Sequence, residues 1–242
     1  MSYIGTTEIG KMFLGDVEID KAYLGNELVF SGDTPLPYTP LSYIQTDGVA
    51  YIDTNNSGIT PRSVELNVVP VLPASGNTYI MGCRKDTGNT RLTFLLVNAN
   101  GRAGYAYLGN TYNSTSNAIS CSSSAQDKTM MLVRCSLASG KQYFGVKQSG
   151  QSSYTTKQTT VNGSITSNNY SIGIFAINNH GTFGVSAAGT RIEHAKIWEN
   201  DDFTGLLFDG VACLYNGEYG IWDKVTNAFF GNSAASGAFT GA

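Results

Sequence analysis

Glu18 and Asp20 stand two apart in the run VEIDKAY, a spacing that puts two carboxylates on one face of an extended strand. Paired carboxylates are the machinery of glycoside hydrolysis, one protonating the leaving oxygen while the other acts as nucleophile or base. The residues that follow, Lys21-Ala22-Tyr23, add no third acid. Glu65, in the strand-like run Glu65-Leu66-Asn67, has no acidic companion either. His180 lies in Asn178-Asn179-His180-Gly181 and reads as a solvated turn residue; His194, alternating with Ile192 and Lys196, reads as a strand-face side chain. Neither a Gly-x-Ser-x-Gly elbow nor a His-Glu-x-x-His pair is present. No catalytic residue is assigned and the chain does not read as an enzyme, although a His-dependent polysaccharide lyase stays open.

Saccharide binding is better motivated than hydrolysis. Sugars are held by aromatic faces together with amide and hydroxyl groups in a shallow site. In GRAGYAYLGNTYN, residues 101–113, Tyr105 and Tyr107 fall on one strand face, with Asn110 and Tyr112 in the loop beyond. These four are the glycan-binding candidates, against the alternative that Tyr105 and Tyr107 are inward core. Trp198 and Trp222 are expected in the core.

Four cysteines, Cys83, Cys121, Cys135 and Cys213, show neither Cys-x-x-Cys nor Cys/His spacing, so buried reduced thiols are expected rather than disulfides or a metal centre. No metal or other cofactor is called for. A net charge of −3 gives no electrostatic argument for nucleic acid or an anionic membrane. No apolar run approaches the roughly 18–20 residues that span a bilayer, so membrane insertion is not expected. MSYIGTTEIGK has neither a basic n-region nor an apolar h-region and does not read as a secretory leader, which makes the acceptor Asn113-Ser114-Thr115 incidental. The expected site of synthesis is the cytoplasm.

The elements that must position these residues are strands. Charged residues make up only 14% of the 242, well under the roughly 25% of ordinary soluble domains. Gly, Ser, Thr and Asn fill the difference, a mix suited to short strands and tight turns and ill suited to helices. EIGKMFLGDVEIDKAYLGNE, residues 8–27, says one ten-residue phrase twice, with a partial copy at Tyr3-Ile4-Gly5-Thr6-Thr7. Gly15-Asp16 and Gly25-Asn26 suit two-residue hairpin turns. Eight residues between turns predict a small antiparallel meander over 1–32, with Ile9, Lys11 and Phe13 on one face and Met12 and Leu14 on the other. Ile19, Lys21 and Tyr23 against Ala22 and Leu24 repeat the pattern. So thin a sheet needs a packing partner, so Ile9, Lys11, Phe13, Leu14, Ile19, Lys21, Tyr23 and Leu24 are the docking and assembly candidates. The partner is another protein or further copies of this chain, a homotrimer included; the alternative is that the segment folds back on its own larger domain.

Pro35, Pro37 and Pro40 make 33–40 a semi-stiff linker. From 41 to 242 strand-like runs recur, among them Ser63–Val69, where Val64, Leu66 and Val68 alternate with Glu65 and Asn67, and Arg191–Trp198. Asn110–Lys128 and Gln148–Asn169 read as long polar loops. No stretch keeps a 3.6-residue period over three turns. Ten or more short strands in this length predict an all-β antiparallel sandwich of the jelly-roll kind.

Residues 38–56, YTPLSYIQTDGVAYIDTNN, resemble the opening of lectin/glucanase-like domains of the concanavalin or laminin-G type from gut bacteria and their phages. Tyr38, Leu41, Tyr43, Ile44, Thr46, Gly48, Tyr51, Ile52, Asp53 and Thr54 carry the likeness. RIEHAKIWEN at 191–200 and YGIWDKVTNAFFGNSAASGAFTG at 219–241 resemble the family's last long strand and its ending. The resemblance implies a jelly roll over most of the chain. Members that cleave β-glucans carry Glu-x-Asp-x-x-Glu on one strand, and here the position five after Glu18 is Tyr23, which speaks against that activity. The decapeptide is similar to N-terminal segments of phage tail and fibre proteins. Together these imply a structural protein of a phage particle, in head or tail, standing at the virion surface and displaying a lectin-like domain to host glycan. The alternative is a bacterial carbohydrate-binding module, and a polysaccharide-degrading enzyme comes third.

Overall fold

The computed structural model describes the backbone of residues 2–4, 7–9, 12–14, 17–19, 21–24, 27–31, 36–55, 62–71, 77–84, 91–98, 102–103, 107–108, 119–120, 131–138, 141–148, 150–160 and 170–242, and side chains within 36–55, 62–71, 78–83, 143–147, 150–158 and 170–242. The chain divides into two compact units, Met1–Thr39 and Pro40–Ala242. Among the described residues every regular element is a strand.

In the first unit the ten-residue repeat gives a row of hairpins, each straddling two copies of the phrase. Ser2–Ile4 pairs Thr7–Ile9, Met12–Leu14 pairs Val17–Ile19, and Lys21–Leu24 pairs Glu27–Ser31, as three separate two-stranded ladders. The registers close on Ile4↔Thr7, Leu14↔Val17 and Leu24↔Glu27, with two residues of sequence between the strands of each pair, the spacing expected at Gly15-Asp16 and Gly25-Asn26. The meander is therefore corrected: each ten-residue period holds two short strands that pair with each other. Ile9 thus ends one hairpin while Phe13 and Leu14 open the next, and Ile19 is likewise separated from Lys21, Tyr23 and Leu24. Lys11 lies outside the described residues.

The second unit carries two sheets. One runs, in spatial order, Thr155–Thr160, Lys141–Gln148, Met131–Ala138, Ser63–Val69, Arg191–Trp198, Leu206–Tyr215, Glu218–Asp223, Ala228–Phe230, with Ile44–Thr46 joining Arg191–Trp198 to Phe239–Gly241. The other runs Ile119–Ser120, Arg102–Ala103, Arg91–Asn98, Asn77–Arg84, Ala176–Asn179, Thr182–Val185. Among the described residues of these ladders pairing is antiparallel apart from Asn77–Arg84 with Ala176–Asn179, which is parallel. Thr155–Thr160 and Ile119–Ser120 fall within the spans that the sequence reads as polar loops.

The core lies between the sheets, as two-residue alternation requires. Val64, Leu66 and Val68 join Ile192, Ala195, Ile197, Phe208 and Ile221 from the first sheet, against Ile80, Met81 and Cys83 from the second. Ile192 and Ala195 share the inner face although three apart because a bulge intervenes. Asn67 pairs His194 while Val68 pairs Ile192, leaving Glu193 as the extra residue. The bulge turns His194 to the face opposite Ile192, correcting the simple alternation of those two. Trp222 is buried, but outside the inter-sheet cluster, its ring 5.3 Å from that of Tyr215; Trp198 is half-buried, edge-on to Phe203 at 5.2 Å. Cys83 and Cys213 are buried, and burial pushes the Cys213 thiol up to about 11.

Candidate functional site

The hairpin formed by Ala176–Asn179 and Thr182–Val185 turns on His180-Gly181, with φ of 57° and 83°. Two positive φ values in a two-residue connection match the right-handed strand twist. The Asn178 side chain holds this turn by accepting the Gly181 N–H at 2.8 Å, and its amide donates to Ser171 Oγ at 3.1 Å. His180, exposed as the sequence predicts of a turn residue, stacks its ring on Tyr170 at 5.4 Å and 17°.

One strand step back, Phe183 stacks on Tyr51, with ring centroids 4.1 Å apart and planes 15° from parallel. Tyr51 is carried by a short ladder in which Ile52 pairs Ile174 and Asp53 pairs Gly173; both isoleucines are fully buried. Tyr51 and Asp53 flank the buried Ile52, so alternation sends both to the half-exposed face. The closing segment clamps this ladder: Tyr51 N–H donates to Asn232 Oδ1 at 3.3 Å, Asp53 N–H to Ser233 Oγ at 3.0 Å, and Ser233 N–H to the Tyr51 carbonyl at 2.8 Å. Burial first, and the Asp53 charge second, push the Tyr51 phenol above its usual value near 10.

Two residues beside this ladder have positive φ. Asn55 and Phe175 have φ of 54° and 61°, and for a residue as bulky as phenylalanine that region is disfavoured. The Phe175 ring is buried 5.2 Å from Phe239, and its carbonyl accepts the Ser186 N–H at 2.7 Å, which holds the conformation. The Tyr51–Phe183 stack, the Asp53 carboxylate and the side chains of Asn232 and Ser233 thus gather at this short ladder. Rings of this kind pack against sugar C–H faces while the polar groups take hydroxyls.

A second polar array lies on the outer face of the first sheet. His194 Nε2 lies 3.4 Å from Glu65 Oε1, and Lys196 Nζ lies 3.7 Å from Asp209 Oδ1. The Asn67 amide donates to Glu193 Oε2. Glu65, Lys196 and Asp209 are in register across three adjacent strands, which makes this a row of alternating charges answering one another. The sequence placed Glu65 and His194 on strands without pairing them.

Of the sequence-derived glycan candidates, Tyr107 belongs to the strand Tyr107–Leu108. Tyr105, Asn110 and Tyr112 lie outside the described residues, as does the Tyr107 side chain. Among the described residues no three metal-binding side chains cluster. Tyr51, Asp53, Tyr170, His180 and Phe183 were missed as a group because 132 positions separate Tyr51 from Phe183; the signals were the turn Asn179-His180-Gly181 and the two-residue spacing of Tyr51 and Asp53. Neither a protein-family model nor a curated protein matches the sequence.

Proposed function

We propose that this chain is a structural protein of a phage particle, attached through the hairpin unit and presenting a lectin-like jelly roll to host-surface glycan. The observation that carries the reading is the pair of stacked rings, Tyr51 on Phe183 at 4.1 Å, held half-exposed beside Asp53 at one end of the sandwich. A sugar ring needs such an apolar plate bordered by hydrogen-bonding groups. The hairpin unit supports the attachment half. An isolated two-stranded hairpin is marginal in water, and a row of three gains most from a neighbouring surface. Charge separates the units as well: five carboxylates and two lysines lie in residues 1–31, against thirteen acidic and thirteen basic residues in 32–242, so the whole −3 sits in the hairpins. The partner surface is accordingly basic.

A glycan array probed with the whole chain tests the reading. Binding that disappears in Tyr51→Ala and in Phe183→Ala, with Tyr105→Ala and Tyr112→Ala as comparison, is expected. Silence of the wild-type chain across the array contradicts it.

A further inference from the structure

Resting on the reading of this face as a saccharide plate, we infer that Asp53 sets its ligand class: neutral sugars presenting a vicinal diol, with uronic and sialic acids excluded. Asp53 pairs Gly173 in the ladder, and Gly173 is the residue that the Phe183 ring approaches, its edge 3.2 Å from where a β-carbon would stand. The carboxylate therefore borders the plate on the face that Tyr51 shares. One oxygen, Oδ1, already accepts the Asn55 N–H at 3.0 Å, which fixes the side chain in an Asx turn. A carboxylate has about four acceptor positions, so this bond takes up only part of its capacity. Adjacent hydroxyls of a sugar can donate to it in a charge-assisted, bidentate manner.

Among the described residues no cation pairs with Asp53. Its field reaches Tyr51, whose phenol it helps to raise. A carboxylated sugar seated on the same rings meets that charge, a repulsion worth on the order of tenfold in affinity at a protein surface.

The test is titration calorimetry of the full chain with neutral gluco-, manno- and xylo-hexaoses and with hexagalacturonate and sialyllactose. At least one neutral oligomer is expected to bind about tenfold or more tighter than either acid. Asp53→Asn keeps the Asx acceptor and the fold, weakens the neutral ligand, and brings the ratio of neutral to acidic affinity to within about threefold. Equal or tighter binding of an acidic ligand by the wild-type chain overturns the inference, as does an Asp53→Asn variant with an unchanged ratio. In either case a ligand lost in Phe183→Ala leaves the saccharide plate standing. Absence of binding to every probe overturns both.

Discussion

Phe183 crosses Gly173: a β-carbon at position 173 would stand 3.2 Å from Phe183 Cε1 and 3.0 Å from the Ala176 carbonyl oxygen. The glycine makes room for the ring that stacks on Tyr51, and Asp53 pairs with that same glycine. The platform thus depends on a residue that contributes no atoms to it.

Gly173→Ala is expected to destabilise the second unit by about 1–3 kcal/mol, since backbone on one side and a ring on the other leave the methyl no space. Denaturant unfolding measures the loss. Gly150, whose β-carbon would meet nothing within 4 Å, lies on no such contact, and its φ of 83° makes Gly150→Ala a strain control.

Truncating the ring itself separates plate from fold. Phe183 is half-exposed, so Phe183→Ala should cost only about 1–2 kcal/mol of stability, below the cost for a fully buried phenylalanine. Saccharide affinity should fall by more than about tenfold. Calorimetry and melting curves on one sample give both numbers.

The Tyr51 phenol offers an optical check on Asp53. Desolvation is the larger cause of its raised value and the Asp53 charge the smaller. Ultraviolet titration of Asp53→Asn should therefore move Tyr51 part of the way back toward 10 without reaching it. No movement at all would separate the two side chains.

Asp47 predicts an acid limb in stability. Its carboxylate accepts backbone N–H groups from Ala50 at 2.9 Å, Val49 at 2.8 Å and Ala238 at 2.7 Å, joining the opening loop to the closing segment. Chiefly the Ala50 bond, against some desolvation, holds it below the usual 3.8. A lowered folded value means that the unfolded chain binds the proton more tightly. The contribution is therefore complete above about pH 4 and is lost as pH falls through the folded value. Asp47→Asn should flatten the pH dependence of denaturant midpoints in that window and leave neutral-pH behaviour lower but level.

Removing residues 1–32 should leave the melting of the second unit unchanged while abolishing assembly, measured by light scattering. Deleting residues 12–21 removes one whole hairpin period and should preserve the outer hairpins; deleting residues 12–16 cuts a ladder in half and should not. Amide exchange in the first unit distinguishes the two.

Much of the fold is legible in the sequence because alternation is a local signal. Val64, Leu66 and Val68 face the core and Glu65 and Asn67 face outward, as their spacing requires. The bulge at Glu193 is not legible, since an inserted residue shifts the period without any residue type announcing it. The decapeptide was visible and its unit was not: ten residues fit one strand with a turn as well as two three-residue strands with a turn, and only pairing decides. The plate was hidden for a different reason. Tyr51 meets Phe183, and Asp53 meets Gly173, through long-range pairing that no window of sequence contains.

The most direct measurement is a ¹⁵N-resolved titration of the full chain with the neutral hexaoses. Saturable shifts confined to 51–55, 170–184 and 232–233 are the predicted result. Shifts centred on 101–113 instead, or none at any concentration, would contradict the account.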